Sequence, residues 1–409
     1  MADVIINADV YLHQEAGANR GGPFWITPLI GYVIYLTGEV SAKLVWSKTT
    51  DGGATWSAAN EITPSFVVTY DCWADWQTAG DAGTKIHIAC VENATQTVMY
   101  AYLDTNDDSE GTDTIEAVQG TGLIRTGALR DWHHISITKT RGGNIAVAFR
   151  YTDTTFTAFY GFYTSPDGGA WTSKTSPWEA DADYILLFPA NLADADDLWA
   201  VFWDRSAEEI SLMTYDDSGN SWSEQLISVS MVSYGVYLQM DGAIRLSDGH
   251  LLLAAWSEFD TATADLMTWD INGAGSITAK ANVITNTSEY ALVSVFVNQA
   301  NDDIYVAYAG GTDFTTLVKV FYQLSQDGGA TWDGQTAMQA DAEDSERWIS
   351  CGAVKVAWGG KFQPIWFGNG RTIFTNADNG ITILVPAPPV GLENKSANMA
   401  TKLMATGVI

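Results

Sequence analysis

Two stretches of eight residues, Thr49-Thr50-Asp51-Gly52-Gly53-Ala54-Thr55-Trp56 and Ser325-Gln326-Asp327-Gly328-Gly329-Ala330-Thr331-Trp332, share the pattern Ser/Thr-x-Asp-x-Gly-x-Thr-Trp at every fixed position. The pattern encodes a turn. Short Asp and Ser/Thr side chains accept from backbone N–H groups, Gly supplies φ > 0, and the large Trp ring anchors the strand that follows. A shorter copy runs Ser165-Pro166-Asp167-Gly168-Gly169-Ala170-Trp171, and a looser one runs Asp217-Ser218-Gly219-Asn220-Ser221-Trp222 with Tyr215 in the first slot. Aspartates already used as local acceptors are structural, not catalytic.

Working outward, each of these turns sits in a longer repeat. Apolar runs beginning at Tyr32, Ile86, Ile145, Leu198, Leu251, Ile304 and Pro364 are separated by 54, 59, 53, 53, 53 and 60 residues. Within a unit the runs read as four short strands. Unit five gives Tyr237 to Leu246, Leu251 to Trp256, Asp265 to Trp269 and Ile277 to Val283, divided by Gly, Asp and Asn turns. Seven four-stranded units predict an all-β, seven-bladed propeller over residues 1–385. Val4 to Leu12 is an additional strand able to pair with unit seven. Pro386-Ala387-Pro388-Pro389 ends the ladder, and residues 386–409 form a linker and a helix-compatible tail, either packed on the propeller or docking a neighbouring subunit.

The chain resembles the Asp-box (BNR) repeat proteins best known from sialidases, with the turns quoted above carrying the resemblance over about residues 20 to 385. The resemblance implies a propeller with each box between the third and fourth strands of a blade. Sialidases have six blades, whereas seven-bladed Asp-box propellers include xyloglucan hydrolases, lectins and a photosystem assembly factor. The family therefore implies a fold more firmly than an activity. It also implies an arginine clamp for a sugar carboxylate. Here Trp25, in Phe24-Trp25-Ile26-Thr27-Pro28, stands where the first arginine belongs, which counts against sialidase activity.

The 409 residues include 49 acidic and 20 basic side chains, a net charge of −29, which argues against nucleic acid or an anionic membrane as partner. No apolar run approaches the length of a membrane span, and the N-terminus lacks the pattern of a signal peptide. Cys72, Cys90 and Cys351 are too scattered for a disulfide framework or a zinc site. No cofactor or metal is expected. Asp104 to Gly111 alternates oxygen-bearing residues as a calcium loop does, but Ser109 stands where glycine is needed, so it reads as a surface acidic loop.

Residues leading into the innermost strands face one mouth of the channel and supply the candidate site: Arg20; Asp71, Trp73, Asp75 and Trp76; Arg130, Asp131, His133 and His134; Arg347 and Trp348. Asp71 and Asp131 lie at equivalent places on neighbouring units and form a candidate acid/base pair for glycoside hydrolysis. Trp25, Trp73, Trp76, Arg130, His133, Arg347 and Trp348 are the candidate ligand-binding set. The favoured reading is a non-catalytic recognition or structural propeller of a phage or virus particle, binding glycan or a neighbouring protein, present in the virion or outside the cell after lysis. A hydrolase at the channel mouth is the alternative.

Overall fold

The computed structural model describes residues 3–10, 20–38, 42–63, 66–92, 97–117, 134–153, 155, 157–177, 182–204, 207–228, 240–260, 263–287, 293–310, 317–338, 343–344, 348–355, 361–368, 372–375 and 381–382. They build seven antiparallel four-stranded blades. The seven apolar runs are the second strands, among them Gly31–Thr37, Lys85–Glu92, Ile145–Thr152 and Leu198–Asp204. These strands read as unbroken apolar runs because both of their faces are covered by neighbouring blades. Gly31–Thr37 is buried at its first six positions, whereas the outermost strand of blade two, Ser109–Ala117, is mostly exposed.

Apolar layers between adjacent blades form the core. Ala146, Ala148 and Phe162 of blade three, for example, meet Ile185, Leu187 and Phe202 of blade four. Burying each larger aliphatic or aromatic side chain in this way contributes about 1.5–3 kcal/mol.

The ring closes by exchange of strands. Blade seven takes Trp348–Ser350, Ile365–Gly368 and Thr372–Thr375 from the C-terminal part of the chain, and its outermost strand is Val4–Asn7. Val4 pairs with Thr375 and Ile5 with Phe374, antiparallel. The fourth strand expected within the seventh unit itself is replaced by this one, and Ile381–Thr382 pairs instead with Lys361–Phe362. The C-terminal tail lies outside the described residues. Among the described residues the one helical turn is the 3₁₀ segment Asp75–Gln77, and no helix is long and apolar enough to cross a membrane.

After Ser350 the chain does not turn straight back. Ala353–Val354 runs parallel to Phe24–Trp25 on the channel-side edge of blade one, and Lys355 Nζ reaches the Gly83 carbonyl of blade two at 3.1 Å. The segment after Ser350 thus adds a fifth strand to the inner edge of blade one.

The quoted turns do lie between third and fourth strands, in blades one, three, four and six. In blade six, Ser325 Oγ donates to Asp327 Oδ1 at 2.8 Å and accepts from Gly329 N at 2.8 Å, while Asp327 accepts from Thr331 N and Oγ1. Thr49, Asp51, Gly53 and Thr55 repeat the arrangement in blade one. In blade three Asp167 accepts from Gly169 N at 2.9 Å. Blade four corrects the expected alignment. Asp216, not Asp217, accepts from Gly219 N, and Asp217 receives Lys174 Nζ of blade three.

The tryptophans do more than anchor their own strand. Trp222 Nε1 donates to the Thr175 carbonyl of blade three and Trp332 Nε1 to the Ala281 carbonyl of blade five. Trp171 packs on Tyr100 of blade two at 5.5 Å between centroids. Trp56 packs against the cluster in which Val33, Tyr35 and Val45 of blade one meet Ile365, Phe367 and Ile373 of blade seven. Each turn therefore clamps its blade to the one before it. Gly168 shows how close the approach is: with φ at +83°, a Cβ there would stand 2.4 Å from the Tyr100 ring. The calcium-loop segment is a similar clamp, in which Asp108 accepts from Lys48 Nζ and from Tyr32 OH of blade one.

Candidate functional site

The innermost strands carry a polar ring around the channel, and its hydrogen bonds follow one rule. A side-chain oxygen on one blade accepts from the backbone N–H of the next. Ser350 accepts from Gly21 N, Asp71 from Ile137 N, Ser136 from Leu187 N, Asp241 from Val295 N and Ser294 from Cys351 N, all between 2.9 and 3.2 Å. Innermost strands have a free edge toward the channel, so such side chains satisfy donors that no further strand can reach.

Arg20 occupies the ring position of blade one and reverses the rule. Its N and Nε donate to Asp71 Oδ1 at 3.0 and 2.9 Å, and Nη2 donates to Asp71 Oδ2. The same Nη2 reaches Ser136 Oγ and the Ile137 carbonyl, and Nη1 reaches the Leu187 carbonyl at 3.3 Å. Trp73 and Phe188 stack on the guanidinium at 4.9 and 5.5 Å. One arginine thus joins four blades. Burial opposes its charge, but the Asp71 carboxylate more than compensates and holds its pKa above the ordinary value.

Asp71 is fully buried, and both its oxygens are engaged by Arg20, with Ser136 Oγ and Ile137 N adding to Oδ2. As placed, Asp71 does not face an open mouth; the other half of the expected acid/base pair is Asp131. Asp131, Arg130, His133 and Arg347 lie outside the described residues. Of Trp348 only the backbone is described, paired with Phe367. Trp25, Trp73 and Trp76 are 0–3% exposed, so as placed they pack within the blades and offer no ring face to solvent. Large rings fill the wedge between splayed blades, and tryptophan's volume serves that purpose as well as it would serve a sugar.

Two residues toward the mouth from the ring, on the same faces as Ser136 and Leu186, stand His134 and Tyr184. Their rings meet edge to face at 4.8 Å, and Tyr184 is partly exposed. Burial and then the nearby charges of Asp71 and Asp241 push the Tyr184 hydroxyl pKa up. Asp241, opposite in the ring, accepts from Ser294 Oγ at 2.6 Å and from Val295 N. Burial raises its pKa against those bonds and the charge of Arg20. Sequence reading missed Asp241, Ser136 and Ser294, although each is a polar residue at the same register of an innermost strand.

A second ionic cluster lies at the opposite end. Asp75 accepts from His87 Nε2 at 2.8 Å and Lys139 Nζ at 2.5 Å on one oxygen and from Lys85 N on the other, and His87 Nδ1 meets Tyr100 OH at 2.7 Å. His87 and Tyr100 are each 2% exposed, which makes this a blade-to-blade tie and not an open site. Burial lowers the His87 pKa, and Asp75 only partly opposes this. Burial raises the Asp75 carboxyl, but the bonds from His87, Lys139 and Lys85 outweigh it and hold the pKa well below the usual carboxylate range.

Both groups bind fewer protons folded than unfolded. Their contribution to stability is therefore complete above about pH 6.5, falls as His87 titrates in the unfolded chain, and falls again below about pH 4 as Asp75 does. A series of urea midpoints from pH 8 to pH 3 checks this. His87→Gln is expected to flatten the upper segment and leave the lower one. Among the described residues no group of three or more His, Cys, Asp or Glu side chains is arranged to hold a metal ion, and the three cysteines are buried free thiols.

No protein-family profile matches the chain, and no curated protein sequence matches it. Solved structures do. A polysaccharide lyase of family PL25, an ulvan lyase, is similar over 91% of this chain and 94% of its own, at 13% identity and a TM-score of 0.50. A triple arginine mutant of AofleA from Arthrobotrys oligospora is similar over 82% and 88%, at 10% identity and the same score. An intramolecular trans-sialidase from Ruminococcus gnavus covers 95% of this chain at 10% identity and a score of 0.43. At such identities the likeness is one of fold, that of a β-propeller.

Proposed function

We propose that this chain is an Asp-box propeller that recognises glycan without turning it over, and that it does so on a phage or virus particle. The observation that carries the non-catalytic reading is the state of Asp71: fully buried, with both oxygens bound by Arg20, Ser136 and a backbone N–H. A general acid or base needs a lone pair or proton within reach of the substrate, and this carboxylate has neither free. Support for carbohydrate as the ligand comes from a propeller neighbour described as a polysaccharide lyase. The particle setting suits an acid-rich protein whose three cysteines are buried free thiols. A neighbouring particle protein is the second partner the reading admits.

The test is a glycan array probed with the purified full chain. Selective retention by a defined group of glycans, inhibited by the free sugar, is the expected result. Retention by none overturns glycan recognition.

A further inference from the structure

We infer that the seam between blades one and seven is a binding site for ordered water, held by the Gln363 amide and the Trp56 indole N–H where other seams use a backbone clamp. The site lies inside the wall of the propeller, so it stands apart from any glycan reading.

The clamp is seen in two other seams. In each, the residue two positions beyond the fourth strand of a blade reaches the turn of the next blade with both of its backbone groups. Ala281, beyond Ile277–Ala279, donates its N–H to the Gly329 carbonyl at 3.0 Å and accepts from Trp332 Nε1 at 2.9 Å. Thr175, beyond Thr172–Ser173, donates its N–H to Asn220 Oδ1 at 2.9 Å and accepts from Trp222 Nε1 at 2.8 Å.

Blade seven supplies no such pair of groups. Its fourth strand, Val4–Asn7, comes from the other end of the chain, and the residue two positions beyond it is Asp9. The Asp9 N–H turns back to Asn7 Oδ1 at 2.7 Å, and its carbonyl accepts from Gly38 N and Thr37 Oγ1. Both halves of the clamp are engaged elsewhere. Trp56 Nε1 is buried with no hydrogen-bond partner, and among the described residues nothing donates to the carbonyl of Gly53, the counterpart of Gly329.

Gln363 stands at this turn. It is wholly buried two residues before the second strand of blade seven, and its amide lies against the box of blade one: a Cβ on Gly53 would stand 2.6 Å from Nε2 and 3.0 Å from Oε1. Neither end of the amide has a hydrogen-bond partner. Unpaired indole N–H groups occur in other blades, but among the described residues Gln363 is the one side chain with two buried polar atoms left over. A primary amide carries two donors and an acceptor, and burying them unmet is strongly unfavourable. Internal water is the usual answer, provided it finds about two to four polar partners. The two ends of the Gln363 amide, Trp56 Nε1 and the Gly53 carbonyl supply that number and the mixture of donors and acceptors that water needs.

The experiment is a crystal structure of the full chain at a resolution that shows water, joined to urea midpoints of wild type and Gln363→Met and to indole N–H spectra. Expected is ordered water within hydrogen-bonding distance of the Gln363 amide and Trp56 Nε1. The indole signal assigned to Trp56 by its loss in Trp56→Phe should show cross-relaxation with long-lived water. The signal of Trp332, assigned through Trp332→Phe and bonded to Ala281, should show none. Gln363→Met is expected to have a lower urea midpoint than wild type, because the water loses partners. A dry seam overturns the inference: no water density at Gln363, no cross-relaxation at Trp56, and a Gln363→Met midpoint equal to or above wild type, since the substitution then only removes an unpaired amide. Water at Gln363 that does not reach Trp56 overturns the shared site. If Gln363→Met does not fold, the density and the Trp56 signal of wild type decide.

Discussion

Replacing Arg20 with methionine is expected to lower the stability of the propeller by about 3–5 kcal/mol, the cost of breaking a buried ion pair by removing one partner. The substitution leaves Asp71 with no countercharge in a site where it is fully buried. It also leaves the Ile137 and Leu187 carbonyls without the donors that Arg20 supplies. Lysine is expected to recover only part of the loss, because one ammonium cannot reach Asp71, Ser136 and two carbonyls on three blades. The double variant Arg20→Met/Asp71→Leu separates the pair from its surroundings. It should be more stable than Arg20→Met alone, since no unpaired charge remains. Urea denaturation of the four proteins checks both statements, and a loss below about 1 kcal/mol in Arg20→Met would show that the pair is not what ties the blades together.

The second large effect is at the ring closure. Deleting residues 1–10 removes the outermost strand of blade seven and with it Ile6 and Val10, which are 8% and 0% exposed. At about 1.5–3 kcal/mol for each aliphatic side chain, the loss is about 3–6 kcal/mol before the ladder hydrogen bonds are considered. It also bares the edge of Thr372–Thr375, a template for pairing with another chain. The expected result is a markedly lower melting temperature together with concentration-dependent association in light scattering, both reversed by adding a peptide of residues 1–12 that restores the strand. A deletion that melts and sediments like the full chain would contradict the closure described above.

What the sequence makes legible here is what repeats along it. Second strands beginning near Tyr32, Ile86, Ile145, Leu198, Leu251 and Ile304 are unbroken apolar runs because two neighbouring blades bury them, and their spacing alone counts the blades. The turn motif is equally visible, because Thr49 and Asp51, or Ser325 and Asp327, bond groups within four residues. Blade four is misread by one residue for a local reason. Tyr215 replaces the serine of the motif and turns its hydroxyl to Asn220 Oδ1, so the neighbouring Asp216 takes over the turn.

The site is much less legible because it is assembled across the chain. Arg20 and Asp71 stand 51 residues apart, and Ser136 completes their cluster 116 residues from Arg20. Nothing local distinguishes Asp71, which Arg20 contacts, from Asp241, which has no arginine in contact among the described residues. The tryptophans mislead for a related reason: in sequence a Trp that stacks a sugar and a Trp that locks two blades look the same, and only burial tells Trp73 from an exposed ring. Equivalent register on innermost strands was the signal available for Asp241, Ser136 and Ser294.

The account's central claim is that the channel recognises glycan and performs no chemistry on it, and a product assay tests that most directly. The full chain is incubated with a panel of neutral and acidic polysaccharides, and released fragments are followed by mass spectrometry alongside an Asp71→Asn control. The account predicts intact polysaccharide with either protein. Fragments that accumulate with wild type and disappear with Asp71→Asn would contradict it and restore Asp71 to a catalytic role.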